Sequence, residues 1–280
     1  MRQITRYLLL AAAVSMLIAC KGGQTGERIA VMSREEGSGT RSAFVELFDI
    51  LDANKNDNIT LNAEITNNTA VMLRSVQTNA SSIGYVSMGS LSDVVKAVKI
   101  NGVEAKAENV VSGTYPISRP FLIAKKGELT GVAGDFVKFM LSDEGQKIVR
   151  SMGYISESSR GAFTASQISG RIVVAGSTSV APVMEKLKEA YLAVNPNVAI
   201  EIQASGSSAG IKAVQSGIAD IGMSSRSITQ SEIEQGLITA TIALDGIAVI
   251  VNNQNSLQTL NTEQVKGIFA GAITNWKEVR

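Results

Sequence analysis

The sequence predicts an α/β protein with room for two lobes, on three observations. Apolar runs of strand length alternate with helical patterns from residue 28 onward, the arrangement that builds a sheet flanked by helices. Three of the strand-to-helix joints are rich in Ser and Gly: Gly37-Ser38-Gly39-Thr40, Gly176-Ser177-Thr178-Ser179 and Gly206-Ser207-Ser208. The length, 280 residues, suits one large domain or two ordinary ones.

Taken in order, residues 28–33 read as a strand. It feeds the stretch Ser33-Arg34-Glu35-Glu36-Gly37-Ser38-Gly39-Thr40-Arg41. Ala43, Phe44, Leu47, Phe48 and Leu51 then recur at helical spacing and predict a helix over 40–51. Residues 52–58 are polar and read as a turn, and 59–65 alternate as a strand does. Thr69 is placed to cap a helix running through Val76. Strands are expected at 83–86 and 94–100, the second followed by the Asn101-Gly102 turn signal. Tyr115-Pro116 and Arg119-Pro120 bracket an extended stretch that continues into 121–124.

An amphipathic pattern predicts a helix over 132–141, and Ser142 caps the next, which stops at Gly153. Residues 156–170 hold few large apolar side chains and read as a surface linker. Beyond it come a strand at 171–175 and a helix at 180–194, stopped by Asn195-Pro196. A strand at 198–202, a helix at 208–216 and a short strand ending at Ser224, Ser225 and Arg226 follow. Residues 238–251 are mainly extended, and 262–269 form a helix.

Composition excludes much chemistry. Basic and acidic residues balance, 26 against 25, with no long charge run, which argues against a nucleic-acid surface. There is no histidine, and Cys20 is the only cysteine. Zinc sites built on His or Cys, Ser–His and Cys–His pairs and disulfides within the chain are therefore ruled out. Gly206-Ser207-Ser208-Ala209-Gly210 matches a nucleophile elbow with Ser208 at its centre, but such a hydrolase needs a histidine base. A Ser–Lys dyad is the formal remainder. With neither a carboxylate cluster nor a P-loop signature, the expectation is a non-enzyme without metal or cofactor.

Arg2 and Arg6 precede an apolar segment, 8–19, too short to span a bilayer stably. It ends in Leu17-Ile18-Ala19-Cys20 and looks like a bacterial lipoprotein signal. That likeness implies a signal peptide at 1–19, lipidation of Cys20, a tether over 20–27 and a body held outside the cell membrane.

The Ser/Gly joints suggest one shared oxyanion site. Free N–H groups at helix starts, hydroxyls and a guanidinium suit a tetrahedral anion. The bland alternatives are an Arg34 ion pair with Glu35 or Glu36, plain helix capping by Ser38, Thr178 and Ser207, and a structural bridge from Arg226.

Gly176 to Pro182, Gly206 to Gly210, Asp220 to Arg226 and Ser33 to Thr40 resemble the anion loops of the phosphate-binding lipoproteins of bacterial high-affinity phosphate ABC transporters. Ile83-Gly84-Tyr85-Val86, the Tyr115–Pro120 stretch and Ile273-Thr274-Asn275-Trp276 resemble further landmarks. The resemblance implies a two-lobed periplasmic-binding-protein-like (type II) fold, hinged, with the ligand in an interlobe cleft. One lobe would be 28–116 plus 250–280, carrying Arg34, Ser38, Gly39 and Thr40. The other would be 117–249, carrying Thr178, Ser179, Ser207, Ser225 and Arg226. It implies inorganic phosphate as ligand and ABC permease subunits as partners; a monomeric chain, with 28–155 packed on 171–280, is expected from the order of the segments.

Two departures stand out. In the family the Gly176 segment comes first and the Arg34 segment follows Asn275-Trp276. Here the order is reversed, as in a circular permutation joining 28–155 to 171–280 through the linker; a fragment of a tandem protein is the competing account. Many members also carry an aspartate where Ser225 stands, a carboxylate that accepts the proton of hydrogen phosphate. Its replacement leaves another tetrahedral oxyanion such as sulfate as an alternative, with Glu35 or Glu36 as substitute acceptors; a tethered phosphate sensor that has lost transport is a separate alternative.

Overall fold

A computed structural model describes residues 28–279. The expected signal peptide, Cys20 and the tether lie outside the described residues, as does Arg280. In chain order, β1 (Ala30–Arg34), α1 (Gly39–Leu47), β2 (Glu64–Thr66), α2 (Thr69–Thr78) and β3 (Ser82–Ser87) come first. The two-residue strands β4 (Lys96–Ala97) and β5 (Lys99–Ile100) and the short α3 (Ala107–Val111) follow. Next are β6 (Ser118–Lys126), α4 (Gly131–Met140), α5 (Asp143–Ser151) and β7 (Ile155–Ser156). The rest comprises β8 (Gly170–Gly176), α6 (Ala181–Val194), β9 (Val198–Ala204), α7 (Ser207–Gln215), β10 (Ile221–Ser224), α8 (Gln230–Glu234), β11 (Leu237–Val251), β12 (Thr259–Leu260) and α9 (Thr262–Phe269).

The main sheet runs β2-β1-β3-β11-β6-β10-β8-β9. β1 lies parallel to β2 and β3, and β8 parallel to β9 and β10. Between these blocks β11 and β6 run antiparallel to their neighbours. β11 serves both: Leu237 to Gly246 pair with β6, and Ile247 to Val251 pair with β3. Its last seven residues are all buried, as expected of a strand covered on both faces.

Two large apolar cores divide along the same line. One contains Phe44, Tyr85, Ile117, Ile247, Phe269 and Trp276; the other contains Phe121, Phe136, Phe139, Tyr191, Ile242 and Ala243. The chain passes between them on β6, between Ile117 and Phe121, and on β11, between Ala243 and Ile247. In the first core the Phe44 ring stacks on Tyr85 at 3.9 Å and meets Phe269 edge-on at 4.7 Å, pinning α1 and α9 to β3. Burying a side chain the size of Phe44 stabilises the fold by roughly 1.5–3 kcal/mol. The result is a two-lobed α/β fold.

Several expectations change. Residues 59–65 are not one strand; only Glu64–Thr66 pairs, because Ala63 N–H closes a turn on the Thr60 carbonyl (3.0 Å) and leaves Leu61 fully exposed. The strand expected over 94–100 is broken into β4, which pairs with β11, and β5, which pairs with β12. The helices α3 and α8 carry too few turns to show a period and were not anticipated.

Residues 157–169 have no regular structure, yet they are not a free strap. Phe163 packs its ring 5.2 Å from Phe139 and 6.0 Å from Tyr191, and its N–H donates to Glu144 at 2.9 Å. Arg160 N–H donates to the Leu141 carbonyl at 2.8 Å. At the other end of the molecule, Ile29 N–H donates to the Thr274 carbonyl at 2.8 Å, and Arg28 bridges to Asn275.

Candidate anion-binding site

The ends of β1, β8, β9 and β10 bring the Ser/Gly joints together, as open α/β sheets do beyond the carboxyl ends of their strands. On the first lobe, Tyr85 fixes the end of β1. Its hydroxyl lies 2.9 Å from Ser33 Oγ and accepts from Arg34 N–H at 3.2 Å. Burial pushes the Tyr85 phenol up to about 12, so it remains neutral. Arg41, itself paired with Asp57 at 2.6 Å, donates to the Arg34 carbonyl at 2.8 Å.

Arg34 is only 2% exposed. Its Nε and Nη2 grip the two Glu35 carboxylate oxygens, each at 2.8 Å, the fork geometry that a guanidinium favours. Nη2 also reaches across to Thr178 Oγ1 of the other lobe at 3.0 Å. The ion pair and the cross-lobe contact therefore coexist.

Ser38 caps α1, accepting from Arg41 N–H at 3.4 Å. Gly39 then opens the helix where the lobes meet. A β-carbon there would lie 2.3 Å from Ser207 Oγ and 2.8 Å from Ser225 Oγ, so any larger residue would force those serines to shift. Thr40 Oγ1 lies 2.8 Å from Ser179 Oγ, again across the interface.

On the second lobe, Gly176 ends β8 at φ +141°, where a β-carbon would meet the Met223 carbonyl at 2.2 Å. That turn delivers Ser177, whose hydroxyl donates to Ser225 Oγ at 2.9 Å and accepts from Ser179 N–H at 3.2 Å. Ser207, the first residue of α7, accepts from Ser225 N–H at 3.1 Å, and the two hydroxyls lie 3.4 Å apart.

Arg34, Thr40, Thr178, Ser179, Ser207 and Ser225 are thus drawn into one network, all but Thr178 buried, with Gly39 packed against it, whereas the Ser38 hydroxyl caps its own helix. Arg226 stands apart. Its Nη1 and Nη2 donate to the two Glu232 oxygens at 2.9 and 2.8 Å, holding that carboxyl below its ordinary range; Nη1 also donates to the Ser227 carbonyl at 2.8 Å, and a weak contact goes to Ser208. This is the rim bridge rather than a side chain aimed across the interface.

Sequence reasoning missed other members. Thr69 is not the helix cap; Asn68 is, accepting from Val71 N–H at 2.8 Å. This frees the Thr69 hydroxyl, which lies 3.3 Å from Thr178 Oγ1 and 3.4 Å from Ser179 Oγ. The adjacent pair Asn68-Thr69 was the available signal, since asparagine is the stronger cap. Ser177 and Arg41 sit inside stretches already singled out, but their roles depend on which way their side chains turn.

The network is rich in groups that both donate and accept, with helix starts behind it and one guanidinium at its edge. Such a set can surround a tetrahedral oxyanion without large net positive charge. Comparison with known proteins agrees in kind. The model of the PBP superfamily domain matches residues 15–144 and 161–279. Phosphate-binding protein PstS 2 of Streptococcus agalactiae is 45% identical over 274 residues, spanning 95% of this chain and 94% of that protein. This chain belongs to the PstS family, within the PBP superfamily. A crystal structure of a phosphate ABC transporter's phosphate-binding protein, from Streptococcus pneumoniae, is similar to this PstS-family chain with a TM-score of 0.72 and 44% identity. That likeness covers 90% of this chain and 100% of the other. The PstS of Bacillus subtilis matches more narrowly, at 35% identity over 48% of this chain and 43% of its own.

Proposed function

We propose that this PstS-family chain is an extracytoplasmic solute-binding lipoprotein that captures inorganic phosphate between its lobes and delivers it to an ABC permease. The observation that carries this is the cross-lobe network, in which Arg34 reaches Thr178 and Thr40 reaches Ser179 at the ends of strands from different lobes. A buried oxyanion loses its hydration and needs several short, aimed hydrogen bonds in return. The ligand set is Arg34, Ser38, Gly39, Thr40, Thr178, Ser179, Ser207 and Ser225, with Thr69 added and Arg226 at the rim. No step of catalysis is assigned to them. The phosphate-binding names of the full-length relatives favour phosphate as the anion.

In this reading the lobes expected at 28–116 plus 250–280 and 117–249 are hinged where β6 and β11 pass between the cores, which puts the second boundary between Ala243 and Ile247, because Ile247 and Val249 pack in the first core. Cys20 carries a lipid anchor, and the mature chain is monomeric. The segment order is a circular permutation of the order in the more distant relatives, one that the PstS 2 proteins, matched over 94–99% of their own length, share. Two findings support that: the hydrogen bond from Ile29 to Thr274 that closes the permuted ends, and the B. subtilis match, which spans less than half of either chain.

A second reading, a binding protein for sulfate or a related oxyanion, rests on Ser225. Its hydroxyl already exchanges hydrogen bonds with Ser177 and Ser207, and a hydroxyl discriminates against a fully ionised anion less than a carboxylate does. Calorimetric titration of residues 21–280 with phosphate, then sulfate, separates the two. Saturable phosphate binding at one site per chain, with sulfate silent, is expected. Sulfate binding of similar strength would transfer the assignment, and silence to both would end it.

A further inference from the structure

Behind the anion loops lies a buried ion pair that the network above does not use. Arg119 and Asp245 face each other in register on β6 and β11, where both strands pass between the cores. Arg119 is 3% exposed and Asp245 is fully buried. Arg119 Nε and Nη2 donate to Asp245 Oδ2 at 3.3 and 3.2 Å. Ser87, at the end of β3, donates to the other carboxylate oxygen at 2.8 Å. The remaining guanidinium nitrogen, Nη1, donates to the backbone carbonyl of Ser225 at 3.1 Å.

Stability is a poor account of this pair. Burial pushes the Asp245 carboxyl up to about 6 against the pull of Arg119, and it draws the Arg119 guanidinium down. Desolvation thus outweighs attraction on both partners, and apolar replacements of buried pairs are often no less stable. What apolar residues would not supply is the third arm of the fork, which ends on the one residue whose N–H and hydroxyl bind Ser207 and Ser177.

We propose that Arg119 is a positioning residue for the anion site, held by Asp245 and acting through the Ser225 carbonyl to aim the Ser225 hydroxyl. Ser87 extends the hold from Asp245 to the opposite lobe, so the aim of the Ser225 loop is tied to the crossing about which the lobes close. This rests on the phosphate-binding reading above.

The test is a double-mutant cycle on phosphate affinity. Lysine keeps the charge of Arg119 but cannot hold Asp245 and the Ser225 carbonyl together with one planar fork. Arg119→Lys should weaken phosphate binding roughly tenfold in the otherwise native chain, yet less than twofold in a Ser225→Ala background, because interacting sites are not additive. Thermal unfolding confirms that each variant is folded. If Arg119→Lys does not fold, the double variant Arg119→Gln/Asp245→Asn, which leaves no unpaired buried charge, is carried through the same cycle with the same expectation. Equal losses in both backgrounds, or a loss under twofold in the native one, would overturn the positioning role alone. A native chain that binds no phosphate would overturn the function and this proposal together.

Discussion

Arg34 ends β1 and Arg226 lies just beyond β10, and each grips a nearby glutamate with two nitrogens. What separates them is the direction of the remaining contact. Arg34 has 3% of its side chain exposed and crosses to Thr178, 144 residues away in sequence. Arg226 has 12% exposed, and its partners Glu232, Ser227 and Ser208 all belong to its own lobe. The same pairing chemistry therefore makes a bridge between lobes in one place and a strut within a lobe in the other. An ion pair beside a glycine-rich loop does not by itself mark a ligand-binding residue, and the reach to the opposite lobe is what sets Arg34 apart from Arg226.

The largest expected effect breaks the first arm of this comparison. Arg34→Ala should cost about 2–5 kcal/mol of phosphate binding, the range for truncating one member of a buried charge pair. That is roughly a thirtyfold to several-thousandfold rise in Kd. A loss under threefold would remove Arg34 from the site and make the two arginines equivalent. Next comes the contact that brings the lobes together. Gly39→Ala places a β-carbon 2.3 Å from Ser207 Oγ, so the lobes should fail to close fully. Calorimetry should show phosphate affinity lowered by about fivefold or more, since overpacking costs roughly 1–3 kcal/mol. Native affinity in this variant would mean that the site tolerates a wider gap than the structure has.

The smallest effect sharpens the second arm. Arg226→Ala should change phosphate affinity less than threefold while lowering stability by about 1 kcal/mol, the upper end for such pairs. In a domain of this size that corresponds to roughly 2–4 °C in Tm. Both are read from one preparation by calorimetry and a melting curve. A tenfold loss of affinity at unchanged Tm would put Arg226 in the ligand shell after all.

Much of the fold was legible because its signals are short-range. The cap at Ser142, the apolar stripe of α6 and the Gly-rich turns after β1 and β8 are each set by residues within a few positions of one another. The failures were of two kinds. Where two polar residues competed for one local role, as Asn68 and Thr69 did, pattern reading chose the wrong one. Where a single side chain fixes the path of an irregular stretch, composition is silent: residues 157–169 lie at the surface as a linker does, but only the structure shows Phe163 tied to Phe139.

By itself, then, the sequence determined the alternation of strands and helices and the chemical identity of the groups at the strand ends. Periodicity, capping and the special backbone of glycine are properties of neighbouring residues. Only the tertiary structure decided which hydroxyls meet across the lobes, that Arg34 crosses while Arg226 does not, and that Arg119 stands opposite Asp245, 126 residues away. Those outcomes depend on strand register and on the packing of one lobe against the other, and no local pattern carries that information.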